Sequence, residues 1–466
     1  MHVIVVGAGA AGLRAAIEAH DAGAEVLIVE KEDSPYASSS AICGGSVAAC
    51  GTTIQEENGI EDSPMMFFND MMKEGEYTND EELARVFAEH SRDTVEWFKD
   101  KGLKFILRSY PGFSPDRIHY AGNGKAYVDI LVDEIRKRKI RVLYSTTAKR
   151  LIIDHSSGNV LGVQAENERS QLLVKAKKAT VLATGGFGGA KETADRFLTA
   201  FKGAIVGSSP AATGDGLLMA MKAGASTTHL DYGAIYGYGF VTDPAARRGH
   251  LQRGYDLTSV FGGIVVNKDG KRFMNEETSP TLVGWKLREQ PDQTLYVIAD
   301  GVMFEEFTNR PVFPVIGWTK ERFLKEVEEQ KCLFKKANSI QELASKIGAE
   351  STKLRQTVED YNTYVERGED PMFGRDKKHL RRKIETPPFC ALIGKPIVMV
   401  TVGGLKVNSR LQVLDVYLNP LPRLYAAGEV VGGLHGTRYS GGDAFGSALC
   451  LGGIAGKNAA LENSSE

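Results

Sequence analysis

The opening stretch HVIVVGAGAAGLRAAIEAHDAGAEVLIVEKE leaves little freedom in what this chain can fold into. Residues 2–6 are a short apolar run, and the glycines Gly7, Gly9 and Gly12 interrupt it. Alanines and long straight side chains then favour helix, up to a second apolar run that closes on Glu30. Strand, glycine turn, helix and acid-ended strand is the context in which GxGxxG reads as a dinucleotide-binding turn. Gly7 permits the tight turn, Gly9 lets backbone approach a pyrophosphate, and Gly12 lets the helix pack on the strand. The amides at the helix start face the phosphates, and Glu30 stands where a carboxylate accepts hydrogen bonds from a ribose.

The rest of the composition narrows the class. With 466 residues the chain exceeds one ordinary core, so two folding units are expected, one of them discontinuous. A hydrophobic share of 42%, a charged share of 25% and a net charge of −2 describe a globular protein without a polyanion partner. The 51 glycines lie in short clusters, as where backbone approaches a ligand. Cys43, Cys50, Cys332, Cys390 and Cys450 form no CxxC pair, so no metal site, iron–sulfur cluster or attached haem is expected, and all five read as small buried hydrophobes. No signal-like start and no long apolar run is present, which predicts a cytoplasmic protein without a membrane span. The basic run Gly374–Lys383 lacks interleaved aromatics and reads as solvated surface rather than a nucleic-acid patch.

Along the chain, helix is expected over residues 63–104 and 124–139, then meandering strands ending in ATVLATGG. The turn Thr184, Gly185, Gly186 is either a bare strand end or a second contact to the dinucleotide. Asp215 heads a helix, either as a cap or as a ligand contact. From residue 233 aromatics and turn signals dominate, with helices near 321–329, 340–348 and 351–367. Apolar strands return at Pro396, followed by the glycine-rich ribbon GLHGTRYSGGDAFGSAL and a terminal helix over ALCLGGIAGKNAA. The expected domains are therefore 1–232 and 399–466, two parts of one nucleotide-binding domain, flanking an insertion at 233–398.

IVVGAGAAGLRAAIEA with Glu30, ATGGF, AATGDG, GKRFMNE and LYAAGEVVGGLHG occur in that order over nearly the whole chain. Together they resemble the fumarate reductase/succinate dehydrogenase flavoprotein superfamily, including the 3-ketosteroid dehydrogenases. The resemblance implies an α/β fold: a Rossmann-like FAD-binding domain with an inserted α+β capping domain, and noncovalent FAD. Besides the glycines and Glu30, it implies cofactor contacts at Ala10, Ala11, Lys31, Ser39, Ser40, Gly44, Gly45, Ala148, Thr184, Gly185, Gly186, Asp215, Gly428, Glu429, Asp443, Ser447, Ala448 and Leu449. It also makes the late ribbon the place where flavin and substrate meet.

Departures from the family pattern bear on the reaction. Tyr236 stands where dicarboxylate reductases carry a histidine, Pro280 at their arginine proton donor, Met399 and Val400 at a histidine pair, and Tyr439 at their substrate arginine, with Arg438 one position earlier. Tyr439 in this ribbon is similar to the ketosteroid enzymes, where a tyrosine hydroxyl and a backbone amide, here that of Asp443, polarise a carbonyl. The catalytic set implied is Tyr439 and Arg438 with Tyr236 or Tyr238 as base, Tyr110 and Tyr120 in reserve, and His435 as a further polar contact. Each tyrosine could equally be a packed aromatic, and Arg438 either braces the ribbon or grips a substrate carboxylate. The leading expectation is an FAD oxidoreductase acting on CH–CH groups that desaturates, or reversibly reduces, the bond beside a carbonyl in a cyclic ketone, oxo-acid or 3-ketosteroid-like compound. Its electron acceptor is open. A fumarate reductase or dicarboxylate dehydrogenase is the alternative, and a non-catalytic flavin-binding protein the alternative of another class.

Overall fold

In the computed structural model, residues 1–108, 115–243, 245, 247–251, 256–278, 280–310, 318–329, 334–439 and 441–463 are described. Val3–Val6 and Val26–Val29 are strands, and Ala10–Asp21 is the helix between them. They sit inside a six-stranded sheet ordered Gln412–Leu414, Pro420–Ala426, Ala179–Leu182, Val3–Val6, Val26–Val29, Arg141–Leu143. All neighbours are parallel except the first pair. Val3–Val6 and Val26–Val29 are apolar at every residue because a parallel sheet is covered on both faces.

This sheet belongs to a unit made of Met1–Ala200, Ser208–Ala234 and Val400–Glu466. A three-stranded antiparallel meander, Thr147–Ile153, Val160–Glu166 and Gln171–Lys175, precedes the strand Ala179–Leu182. The helix expected over 63–104 is two helices, Pro64–Glu74 and Glu81–Asp100. Gly75 ends the first, and Asp80 caps the second by accepting from the Leu83 amide.

The terminal helix, Asp443–Leu461, begins five residues earlier than the sequence pattern indicates, so the second part of the expected ribbon is helical. It lies along the first helix at backbone distance. A Cβ on Gly456 would come within 2.0 Å of the Ala15 carbonyl oxygen, and one on Gly452 within 2.5 Å of that of Ala11.

The second unit comprises Phe201–Gly207 and Ile235–Met399. Its seven-stranded sheet centres on the long strand Phe389–Thr401, which pairs antiparallel with Leu295–Ala299 and Phe334–Ala337. Phe307, Phe323, Leu354 and Tyr361 fill its core, the last two from the helix Ser351–Arg367, found where the periodicity placed it. A buried charge cluster braces it: Arg272 donates to Glu276 at 2.9 and 2.7 Å and to Asp370 at 2.8 Å. Arg375 lies 3.6 Å from Glu276.

Cys50, Cys390 and Cys450 are buried free thiols and Cys43 is half-buried; Cys332 falls outside the described residues. No helix among the described residues is long and apolar enough to cross a membrane.

Because no side-chain movement can relieve a clash between two backbones, Gly456→Val should destabilise the fold by about 2–3 kcal/mol. Denaturant unfolding midpoints check this. A midpoint equal to that of the unaltered protein would show that the helices separate freely.

Candidate functional site

Gly7 adopts φ +106°, and a Cβ there would lie 2.3 Å from the Ala183 carbonyl oxygen. At Gly12 a Cβ would lie 2.0 Å from the Gly7 carbonyl. These two glycines serve strand–helix packing. Gly9 differs: its missing Cβ would touch nothing nearer than Ser40 Oγ at 3.5 Å, so its backbone has an open side. The helix amides beginning at Ala10 and Ala11 point to that side, where a helix start leaves donors without intrahelical partners. Ser40 Oγ accepts from Ala10 N at 3.0 Å, and Ser39 Oγ from Ser209 N at 3.2 Å.

Glu30 is buried, and each of its oxygens accepts from an amide, Ala8 at 2.6 Å and Glu32 at 2.8 Å. Burial raises its pKa while these two bonds pull the other way. Its neighbour Lys31 pairs with Asp215 at 2.8 Å and donates to Thr213 at 2.5 Å. Asp215 is therefore not the cap of its helix. Gly214 holds that position with φ +82°, and Asp215 sits in the first turn.

Beside the glycine turn, Thr184 Oγ1 is sheltered without a hydrogen-bond partner among the described residues, and Gly185 at φ +72° has nothing within 4 Å of a Cβ. Gly186 sits on the Glu429 carboxylate, which accepts from Thr401 N at 2.8 Å and Thr401 Oγ1 at 3.0 Å. Burial raises the Glu429 pKa. Gly428, at φ +78°, approaches the first helix so closely that a Cβ would lie 2.8 Å from Ala11 Cβ. Ala448 lies beside the same glycine, and Ser447 Oγ donates to the Ala444 carbonyl at 3.2 Å. Leu449 is fully buried, Ala148 is buried in the meander, Gly44 is open, and Gly45 packs on the backbone of Asn123. An open glycine at a helix start, with an acid at the end of one neighbouring strand and an orphaned hydroxyl at the end of the other, suits a dinucleotide.

The ribbon itself is held by the turn 75–80. Asp80 N donates to Gly433 O at 2.9 Å and Asn79 Nδ2 to Leu434 O at 2.7 Å. Thr437 Oγ1 donates to Glu76 Oε2 at 2.8 Å, and Arg438 Nη2 lies 2.7 Å from Glu76 Oε1. Glu76 and Tyr77 both have left-handed backbone, φ +55° and +57°. Two such residues cost on the order of 1–3 kcal/mol each. Of the two readings left open for Arg438, the brace is the one the geometry shows. Sequence inspection missed Glu76, Asn79 and Thr401. Each partners a residue of the far C-terminal segment, and no local pattern signals that.

Tyr439 and His435 form an edge-to-face pair with centroids 5.5 Å apart. Burial holds the His435 pKa down at about 4, so the imidazole is neutral at pH 7. Tyr238 is 2% exposed within the core of the second unit, packed edge-on to Phe240. Tyr236 lies on the strand Gly233–Asp243 with its side chain outside the described set, as is that of Pro280, which opens a helix. Tyr110 is also outside it, and Tyr120 donates to the Gly122 carbonyl at 2.8 Å.

Asp443 is 3% exposed, and its Oδ1 has no hydrogen-bond partner among the described residues. Burial pushes its pKa well above the carboxylate range, Arg117 opposing and Glu74 adding. A raised folded-state pKa favours the fold below the unfolded value of roughly 3.9 and loses that contribution as pH rises. Asp443→Asn should therefore match the unaltered protein near pH 4. It should become progressively more stable toward pH 8, by up to about 1.4 kcal/mol for each pH unit in the window. Unfolding midpoints across pH read this, and equal stability at pH 8 would show a compensated carboxylate.

Comparison with known proteins bears on what fills this cradle. A family model described as an FAD binding domain matches residues 2–444. The chain is 32% identical, over 98% of its length and 74% of the other, to a probable fumarate reductase of Shewanella frigidimarina. It is 34% identical to an NADH:fumarate oxidoreductase of Klebsiella pneumoniae, covering 98% of this chain and 47%, about half, of that protein. A urocanate reductase of Eggerthella lenta is 30% identical over 98% of this chain and 74% of its own. Among solved structures, the open conformation of a flavocytochrome c3 fumarate reductase matches with TM-score 0.83 at 31% identity, over 99% of this chain and 78% of that one. A 3-ketosteroid Δ1-dehydrogenase from Sterolibacterium denitrificans shares the fold, with TM-score 0.84 at 21% identity over 98% and 99% of the two chains.

Losing Glu30 removes the acceptor of two amides from the cradle. Glu30→Ala should weaken FAD retention by roughly 1–3 kcal/mol, measured by flavin binding to the stripped protein. Unchanged affinity would make the carboxylate purely structural.

Proposed function

The chain belongs to the fumarate reductase/succinate dehydrogenase flavoprotein superfamily, as an FAD-dependent oxidoreductase acting on CH–CH groups, and from that premise we propose that it reduces the C=C bond of a small α,β-unsaturated carboxylic acid. The observation that carries this reading is the match over 98% of the chain to proteins named as reductases of fumarate and of urocanate. It displaces ketone desaturation as the leading account, because the likeness to the ketosteroid enzyme, at 21% identity, speaks to the fold alone.

In this reading the glycine turn, Glu30 and the turn at Thr184 hold FAD noncovalently, and the ribbon holds the acid. When bound and reduced, FAD supplies a hydride to the β-carbon of the substrate. The Tyr439 hydroxyl and the N–H of neutral His435 donate to the carboxylate oxygens as negative charge builds there. A proton delivered to the α-carbon completes the saturated acid. A neutral imidazole suits this task, since it strengthens its hydrogen bond with developing charge without gripping the substrate as an ion pair beforehand.

Acid precipitation should release FAD into the supernatant. Anaerobically reduced protein should be reoxidised by unsaturated acids and not by cyclic enones. Tyr439→Phe should keep FAD and slow that reoxidation about 100-fold, the worth of a donor acting in the transition state. Reoxidation by cyclic enones alone would restore the desaturase account, and flavin inert to every compound would leave a binding protein.

A further inference from the structure

We propose that Glu76 sets the substrate class of this site: by holding Arg438 it restricts the enzyme to unsaturated monocarboxylic acids whose β-substituent is uncharged, and excludes dicarboxylates. This rests on the reductase reading above and narrows it.

Glu76 occupies an unusual place for an acid. The helix Pro64–Glu74 ends with Tyr77 N donating to Met72 O at 2.7 Å, and Glu76 lies inside that closing turn in the left-handed region. Such a position is ordinarily given to glycine, which has no Cβ to strain. A long carboxylate there is explained by what it reaches. One oxygen takes the Thr437 hydroxyl and the other the Arg438 guanidinium, two consecutive ribbon residues. The same turn is fastened to the ribbon at Gly433 and Leu434. At Gly436 a Cβ would lie 2.4 Å from the Gly75 carbonyl oxygen. The carboxylate is therefore fixed against the ribbon from both sides of the contact.

A pair this exposed contributes little to stability. For recognition the same pair matters more, because specificity is a difference between two ligands. Fumarate carries two carboxylates. The one conjugated to the accepting carbon can use the neutral donors His435 and Tyr439, but the second would require a guanidinium already matched by a tethered carboxylate, and would meet the charge of Glu76 as well. An uncharged group in its place meets neither penalty.

The test measures kcat/KM with a reduced viologen dye for fumarate, crotonate and cinnamate. For the unaltered protein, crotonate or cinnamate should exceed fumarate at least tenfold. Glu76→Gln, checked for full FAD content, should raise the ratio of fumarate to monoacid at least tenfold, and adding Arg438→Gln should abolish that rise. Fumarate equal to or better than both monoacids in the unaltered protein would overturn the proposal and leave the reductase reading intact. So would an unmoved ratio in Glu76→Gln. Turnover of none of the three acids would defeat the reductase reading, and this proposal with it.

Discussion

Backbone-to-backbone contact about the first helix is the constraint on which the nucleotide-binding unit depends. On one side Gly12 brings that helix against the glycine turn, at a distance no side chain could share. On the other, Gly452 and Gly456 bring the terminal helix against Ala11 and Ala15. The two ends of the chain are thus locked to the same helix. Gly428 then passes within a methyl group of Ala11, and the ribbon that follows it has to emerge beside the helix start. Side chains so remote in sequence from the first glycine turn come to lie beside it because glycine removes the atoms that would keep two helices apart.

The charges named around the cradle differ in how they are met: the acids Glu30 and Glu429 by amides and hydroxyls, the cations Lys31 and Arg438 by acids. Glu30 and Glu429 accept from backbone and threonine groups, and burial raises both pKa values. Asp443 has still less compensation. Lys31 and Arg438, by contrast, stand in direct ion pairs at half-exposed positions. Dipoles fixed by the backbone hold an anion in a defined place without adding a mobile counter-charge, which suits groups that must order a ligand rather than titrate with it.

How much of this was legible in the sequence follows from range. Gly7, Gly9, Gly12 and Glu30 lie within one strand–helix–strand unit, so local spacing was enough to place that unit. The helix Ser351–Arg367 was equally plain from its periodicity. The break at Gly75 was hidden because the apolar pattern continues in phase on either side of it. The early start of the terminal helix was hidden because its first turns are rich in glycine, which lowers helix propensity yet is needed for packing. The burial of Tyr238 was hidden because alternation along a strand does not say which face is covered. Glu76 could not be found at all, since its role exists only where two distant segments touch.

The motif GKRFMNE shows why family likeness carries the fold further than the chemistry. Arg272 and Glu276 are nearly inaccessible to solvent and are joined to Asp370 and Arg375, which come much later in the chain. Asn275 donates to the carbonyls of Phe373 and Gly374, closing the same brace. Removing one charge from such a cluster leaves its partners buried and uncompensated, so sequence drift is resisted at each of them together. Pro280, just beyond, begins the next helix. A brace of this kind ties the motif to the packing of the second unit rather than to a reaction. Similarity carried by such bracing identifies the fold and the cofactor, while the choice of acid rests with the few side chains of the ribbon.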